Sequence, residues 1–467
     1  MSITAAYMVP HPPMIVPAIG RGGESQILET TKAYEQVAED IVRQAPETII
    51  ITTPHSVMYA DYFHISPGKR AGGSFAGFGA PEEQFDVTYD KTLVDEISSL
   101  AEARDFPAGT LGERDKTLDH AVMVPLWFIE KAYERHNKSK DYKLVRIGLS
   151  ALPLTDHYRL GQIIHSAVAN TGRKAVFVAS GDLSHKLQEY GPYGFAKEGP
   201  EYDARIMDVC GRGAFGELFD FSESFCESAA ECGHRSFVIM AGAFDGMSVD
   251  AKALSHQDVT GVGYGICTFY PQGADENRRF LDQYLKRVEA EAADRRAQSD
   301  AYVQLARQSL ESYILKRERI PVPDNLQEEM LHTRAGAFVS IHKNGALRGC
   351  IGTIGPTTDC VAQEIINNAI SASTSDPRFP AISPEELQWL EINVDVLGEP
   401  EDIQSEDELD VKKYGVIVSS VGKRGLLLPD LEGVDTVEQQ IAIAKQKAGI
   451  HKFESVKLQR FEVIRHV

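Results

Sequence analysis

The chain has no CxxC pair. Its six cysteines, Cys210, Cys226, Cys232, Cys267, Cys350 and Cys360, are scattered over 467 residues. That spacing argues against a zinc ribbon and against a disulfide scaffold, and it fits a reducing cytoplasm. Positive charge is scarce as well, with 48 Lys+Arg against 68 Asp+Glu and a net charge of −20. A nucleic-acid surface needs basic patches, so none is expected; the acidic balance favours solubility and says nothing about fold. No apolar run approaches the roughly 18 residues of a membrane span. The N-terminus has neither a basic region nor a cleavage site, so export is not expected. There is no internal repeat and no low-complexity tract. What remains is an ordinary globular composition, 43% hydrophobic and 25% charged, in a chain long enough for two or three domains.

Three histidine turns stand out: Val9-Pro10-His11-Pro12-Pro13, Thr52-Thr53-Pro54-His55-Ser56 and Ser180-Gly181-Asp182-Leu183-Ser184-His185. The last two follow apolar, β-branched runs, Thr48–Thr52 and Ala175–Ala179, which read as buried strands. His11 follows a weaker strand, Ala5–Val9, with its backbone braced by three prolines. Ligands of open α/β sheets bind at the carboxyl ends of strands, so the three turns read as one site.

Around them, strands and helices alternate. Helices are expected near Glu24–Gln44, Lys91–Arg104, His157–Asn170 and within 201–245, with a strand at Lys143–Leu149. This implies an α/β core. The glycine-rich stretch Ser66–Gly79, carrying Phe75 and Phe78, reads as a loop, either over a pocket or at the surface. Val259–Tyr270 reads as a strand weakened by Gly261, Gly263 and Gly265. Composition shifts after Pro271 to a charged stretch, Asp275–Arg296, which places a domain boundary near residue 275. Beyond it, helices at Ala301–Leu315, Cys360–Ser373 and Val437–Ala448 mix with strands at Ala337–Ile341, Leu347–Ile354, Leu390–Val396 and Ser455–Val463. A hairpin is expected from Tyr414–Ser419 and Lys423–Leu428. This second unit reads as α+β.

Neutral imidazoles suit Fe, Zn, Cu and Ni, and two histidines with one carboxylate make the usual site of non-haem Fe(II) oxygenases. His11 and His55 are the natural histidine ligands. Glu231 and Cys232 are adjacent, and either can complete the set: the carboxylate favours a hard iron site, the thiolate a softer one. His120, in Leu118-Asp119-His120, and His185 are the candidate catalytic proton carriers. Asp182 either orients the His185 ring or serves the turn. His234 and Arg235 read as helix-surface or anion-binding groups. His64, His136, His157, His165 and His256 read as structural or exposed.

In the second unit the sharpest motif is Leu347-Arg348-Gly349-Cys350-Ile351-Gly352. An arginine beside a cysteine between glycines fits an accessible, acidified thiol, or else a small buried residue in a bent strand. Asp376-Pro377-Arg378-Phe379-Pro380 is a proline-braced turn presenting Asp376 and Arg378, as functional groups or as a structural ion pair.

The histidine turns, with Leu118-Asp119-His120, resemble the class III extradiol ring-cleavage dioxygenases, the family of protocatechuate 4,5-dioxygenase β subunits and the related Memo proteins. The resemblance spans about 1–275. It implies a metal on His11, His55 and a third group, with His185 and His120 handling protons. A glutamate in the dioxygenases points to Glu231; a cysteine before glycine in Memo proteins points to Cys232. The implied cofactor is Fe(II), with Zn and Cu as alternatives and O2 as co-substrate. The implied reaction is extradiol opening of a catechol-like or related phenolic ring; a non-catalytic metal-binding scaffold is the rival.

From 285 to 467 the chain resembles the AMMECR domain family, on Gly336–Ile341, Leu347–Ile354, Asp376–Pro380, Lys413-Tyr414-Gly415-Val416, Arg424–Leu431, Thr436–Gln440 and Arg460-Phe461. The family recurs beside Memo-like and radical S-adenosylmethionine proteins. A protein- or RNA-modifying system with Cys350 as reactive group is therefore a third reading, by association only. Expected partners are a small aromatic substrate and a radical S-adenosylmethionine protein. A homodimer is compatible with the sequence; neither membrane nor nucleic acid is expected.

Overall fold

A computed structural model describes residues 2–343, 346–431 and 433–467. The chain divides into two compact units, Met1–Leu285 and Lys286–Val467.

The first unit is built on a six-stranded sheet. Its order is Lys143–Gly148, Thr48–Thr53, Ala175–Ser180, Ile3–Val9, Tyr264–Ala274, Met247–Gln257. The first four strands are parallel and the last two run antiparallel. A parallel sheet is covered on both faces, so its strands are apolar throughout rather than alternating; Thr48–Thr53 and Ala175–Ser180 are buried at every position. Side chains still sort by the period of two. Ile49 and Ile51 pack with Tyr34, Val37 and Ile41 of the Leu28–Gln44 helix. Ile50 faces the opposite core, with Ile97, Ile163 and Ile239.

Two sequence expectations change here. The glycine-rich stretch is not a loop: Arg70–Phe75 pairs antiparallel with Ala80–Thr88 as a hairpin. A Cβ on Gly73 would lie 2.7 Å from Met123 Sδ and 3.1 Å from Leu118 Cβ, so glycine lets the strand lie against the His120–Arg135 helix. The strand expected at Val259–Tyr270 starts later, at Tyr264, and Gly261 turns with φ +85. Its partner Met247–Gln257 had no clear sequence signal.

The second unit carries two four-stranded sheets among its described residues. The first, ordered Ala346–Gly352, Ala337–Lys343, Leu390–Leu397, Val463–His466, packs beneath the helices Ala301–Lys316 and Val361–Thr374. The second holds the expected hairpin, Gly415–Ser420 with Lys423–Leu427, flanked by Lys457–Phe461 and backed by the helix Val437–Lys447. Leu397, Ile417, Leu426 and Phe461 join the two sheets. No described helix is long and apolar enough to cross a membrane.

Candidate metal centre

Strand register brings the histidine turns together. Val9 pairs with Ser180, and Thr52 pairs with Ala179. Three parallel strands therefore end at one level, and the residues just beyond them meet at the carboxyl edge of the sheet.

His11 is locked from three sides. Its N–H donates to Asp182 Oδ1 at 2.7 Å, and the preceding Pro10 carbonyl accepts from the Tyr34 hydroxyl at 2.8 Å. Its Nδ1 lies 3.0 Å from Ser180 Oγ, whose own hydroxyl donates to the Ala121 carbonyl at 2.7 Å. Ser180 therefore accepts from Nδ1–H, and this network assigns Nε2 as the ring nitrogen with a free lone pair. Nε2 faces His55 Nε2 at 3.0 Å and Cys232 Sγ at 3.6 Å.

His55 is placed by its backbone. Its N–H donates to Thr53 Oγ1 at 3.1 Å, and that hydroxyl donates to Asp119 Oδ1 at 2.7 Å. Asp119 also caps the His120–Arg135 helix, accepting from Val122 N–H at 3.2 Å. One carboxylate thus sets both His55 and His120, whose rings stack at 4.3 Å. Sequence reasoning missed this role of Thr53 and Asp119, although each lies within two residues of a chosen histidine.

Cys232 arrives from the segment before the His234–Gly242 helix. A Cβ on Gly181 would fall 2.1 Å from the Gly233 Cα, so two bare glycines let the strands' turn and this segment touch. The Asp182 N–H then donates to Cys232 Sγ at 3.3 Å.

Glu231 turns the other way. Its carboxylate accepts the His234 N–H at 2.6 Å at the helix start, and burial pushes it up to about 7. Of the two adjacent candidates, the thiol faces the histidines and the carboxylate does not. His11 Nε2, His55 Nε2 and Cys232 Sγ all lie within 4.8 Å of one another.

These spacings fit a metal. Tetrahedral bonds of about 2.0–2.1 Å to nitrogen and about 2.3 Å to sulfur put N···N near about 3.4 Å and N···S near about 3.6 Å. The observed 3.0 and 3.6 Å are close to both, and the remaining pair, His55 and Cys232, lies within 4.8 Å, so a small side-chain shift completes the set.

The electrostatics of the imidazoles point the same way. Burial lowers the pKa of His11, His55 and His185, and it lowers His120 to about 4 with help from His55. All four rings are neutral at pH 7, the state that binds metal or accepts a proton. Burial also pushes the Cys232 thiol well up and Asp182 up to about 7.

The other expected residues are placed as follows. His185 borders the cluster; its Nδ1 is buried, and its ring meets Tyr193 at 5.2 Å. Asp182 serves His11 rather than the His185 ring, because Gly181 N–H bonds the Val9 carbonyl and folds the turn over His11. His234 is no surface group: it is 1% exposed, with Nε2 3.0 Å from the Leu218 carbonyl. Arg235 pairs with Glu223 at 2.9 Å.

In the second unit Cys350, Arg348, Asp376 and Arg378 form a cluster of their own. The Cys350 N–H donates to Asp376 Oδ2 at 2.9 Å, and Arg378 chelates Asp376 through Nε at 3.0 Å and Nη2 at 2.7 Å. Arg348 chelates Glu386, with both contacts at 3.0 Å, and donates to the Pro380 carbonyl at 2.8 Å.

Comparison with known proteins agrees with this division. Residues 5–267 match the family described as the catalytic LigB subunit of aromatic ring-opening dioxygenase, and residues 303–466 match AMMECR1. A protein of Clostridium acetobutylicum is 41% identical over 474 residues, covering 100% of this chain and 99% of that one. A Thermotoga maritima protein is 51% identical over 167 residues, 35% of this chain and 96% of its own. A Pyrococcus horikoshii protein of solved structure is 30% identical over 35% of this chain and 88% of its own, at a TM-score of 0.34. The LigB match takes in more than half of the chain, and the clostridial relative runs its whole length, so the chain belongs to the LigB family of the aromatic ring-opening dioxygenases and carries an AMMECR1 domain behind it.

Proposed function

We propose that the first unit is a mononuclear metal-dependent oxidoreductase, with Fe(II) as the first candidate metal and a small catechol-like or related phenolic substrate. The convergence of His11 Nε2, His55 Nε2 and Cys232 Sγ carries this reading. These three groups would hold the ion. When bound, Fe(II) supplies Lewis acidity and the electron path that ring opening by O2 requires.

The chain's own residues do the rest. Ser180 keeps the proton on His11 Nδ1, so Nε2 stays free to bind. Asp119, through Thr53, fixes the His55 backbone and the start of the His120 helix. The His185 ring borders the cluster and is neutral at pH 7, so it can take the proton from a substrate hydroxyl and return it later. His120, equally neutral, is the second proton carrier. Phe78, its ring 5.5 Å from His120, offers an apolar wall to a flat substrate.

One observation favours a second reading. A thiolate in place of a carboxylate makes a softer site, suited to Zn or Cu(I) as well as to iron. On that reading the centre holds a metal without turning over a phenol.

The test is metal content after anaerobic Fe(II) loading, in the wild type and in His11→Ala/His55→Ala, followed by oxygen uptake with catechols. Near-stoichiometric iron lost in the variant, with uptake in the wild type, is the expected result. Iron retention without uptake across a catechol screen selects the second reading, and no retained metal removes both.

A further inference from the structure

The chain's net charge is −20, yet one end of its second unit is basic. The tip of the Gly415–Ser420/Lys423–Leu427 hairpin carries Val421, Lys423 and Arg424. The loop after the Val437–Lys447 helix carries Lys452 and Phe453, and Lys457 opens the next strand.

Hydrogen bonds put these tips side by side. Lys423 Nζ donates to the Gly449 carbonyl at 2.6 Å, and the Ser420 hydroxyl donates to the Glu454 carboxylate. Lys445 Nζ ties the loop from within, donating to the carbonyls of Lys452 at 3.1 Å and Glu454 at 2.9 Å. Ser419 pairs across the sheet with Arg424 on one side and Lys457 on the other. The carboxylates in reach are few: Glu454, already engaged by Ser420, and Asp402, which pairs with Lys457 at 2.6 Å.

Two large apolar side chains project from this basic ground. Val421 is 98% exposed and Phe453 81% exposed, above every other exposed large hydrophobic among the described residues. Lys452 Nζ lies 4.7 Å from the Phe453 ring centre. A side chain held out in water at a loop tip, ringed by cations, has no folding role to explain it.

We propose that this end of the second unit docks on an anionic lipid surface, with Val421 and Phe453 entering the acyl boundary and Lys423, Arg424 and Lys452 meeting headgroup phosphates. The shape decides among polyanions. Single-stranded nucleic acid is held by aromatic platforms along a basic track. Val421 has no π face, and these tips offer two neighbouring rings, Phe453 and His451 5.6 Å from it, rather than a track of stacking platforms. A folded acidic partner would need a pocket for each convex tip, whereas a bilayer yields to both. Apolar insertion plus electrostatic attraction is the physics of peripheral attachment. This departs from the expectation that no membrane is a partner, which rested on the lack of a spanning run.

The experiment is co-sedimentation of the full chain with vesicles of phosphatidylcholine alone or with about one-third phosphatidylserine. The wild type is expected to bind only the anionic vesicles and to be released by about 0.5 M salt, since exposed charges are then screened. Each cation near such a surface contributes about fivefold in partition, so K423E/K452E should bind at least about twentyfold more weakly. Because Lys423 also bonds the Gly449 carbonyl, circular dichroism and a melting curve check that the variant folds as the wild type does, and K452E alone, which breaks no side-chain hydrogen bond, should weaken binding about fivefold. Phe453→Trp adds an independent readout: its emission should shift to the blue on anionic vesicles. No binding by the wild type overturns the proposal, as does undiminished binding by K423E/K452E. An unshifted Phe453→Trp spectrum together with charge-dependent binding of a single-stranded RNA oligonucleotide would assign the face to nucleic acid instead.

Discussion

The histidine cluster and the Cys350 cluster use similar chemistry to different ends. In the second unit the arginines near Cys350 have found internal partners: Arg378 with Asp376, Arg348 with Glu386 and two backbone carbonyls; Lys343 also pairs with Glu386. The Cys350 thiol itself accepts from the Ser340 hydroxyl at 3.3 Å. In the first unit the groups that converge are left with unused capacity. His11 and His55 point ring nitrogens at each other, and Cys232 joins them. Buried polar groups are ordinarily satisfied. A cluster whose groups pair with one another holds its fold, and one whose lone pairs converge is shaped to suit a metal ion.

The largest effect that would sharpen the contrast is metal affinity. Cys232→Ala should weaken Fe(II) retention about a hundredfold or more, while Glu231→Ala should leave retention near wild type and lower thermal stability, because it uncaps the His234 helix. Metal titration with a competing chelator, alongside melting curves, reads both. Equal metal loss in the two variants would break the contrast.

Next is acid sensitivity. Burial holds His157, 0% exposed, down to about 3, so its folded pKa lies below the unfolded value of 6.5. Its neutral form is favoured by the fold. The stability this represents is present above pH 6.5 and is lost as pH falls towards 3, on the order of 4 kcal/mol. In the second unit Arg348 pulls Glu386 down to about 2 from 4.5, so that contribution is present above pH 4.5 and is lost only as pH falls towards 2. On acidification, hydrogen exchange should show the first unit opening at higher pH than the second. The reverse order would mean that the buried histidines do not govern acid stability.

The smallest effect tests self-satisfaction directly. Glu386→Ala strands Arg348, whose side chain is 15% exposed, and removes half of the Ser383–Glu386 capping box. The cost should be about 2 kcal/mol, between a surface and a buried pair. Iron retention should not change. A loss below about 0.5 kcal/mol would show that the network is ornamental to stability.

The strands that carry the centre could be read directly, because Thr48–Thr53 and Ala175–Ser180 are β-branched or apolar runs of strand length closed by turn residues. So could the histidines just past them. The hairpin at Arg70–Thr88 could not. Its glycines imitate a loop, and the close packing of Gly73 on Met123 and Leu118 is a contact with residues some 45 to 50 positions away. The edge strand Met247–Gln257 was hidden as well: it is largely half-exposed, with Ala, Ser and Lys where a buried strand would show a continuous apolar run. Local pattern reports a residue's neighbours in sequence, and these elements are specified by neighbours in space.

The sequence by itself determined the two units, the parallel strands that end in histidine turns, and the place of His11 and His55 just past them, since each follows from short-range pattern. Between Glu231 and Cys232 it was silent, because adjacent residues share every local signal. Only the tertiary structure decided: Gly181 against Gly233 brings that segment onto the histidine turns, and the start of the His234 helix draws the carboxylate to its own N–H groups and leaves the thiol facing His11.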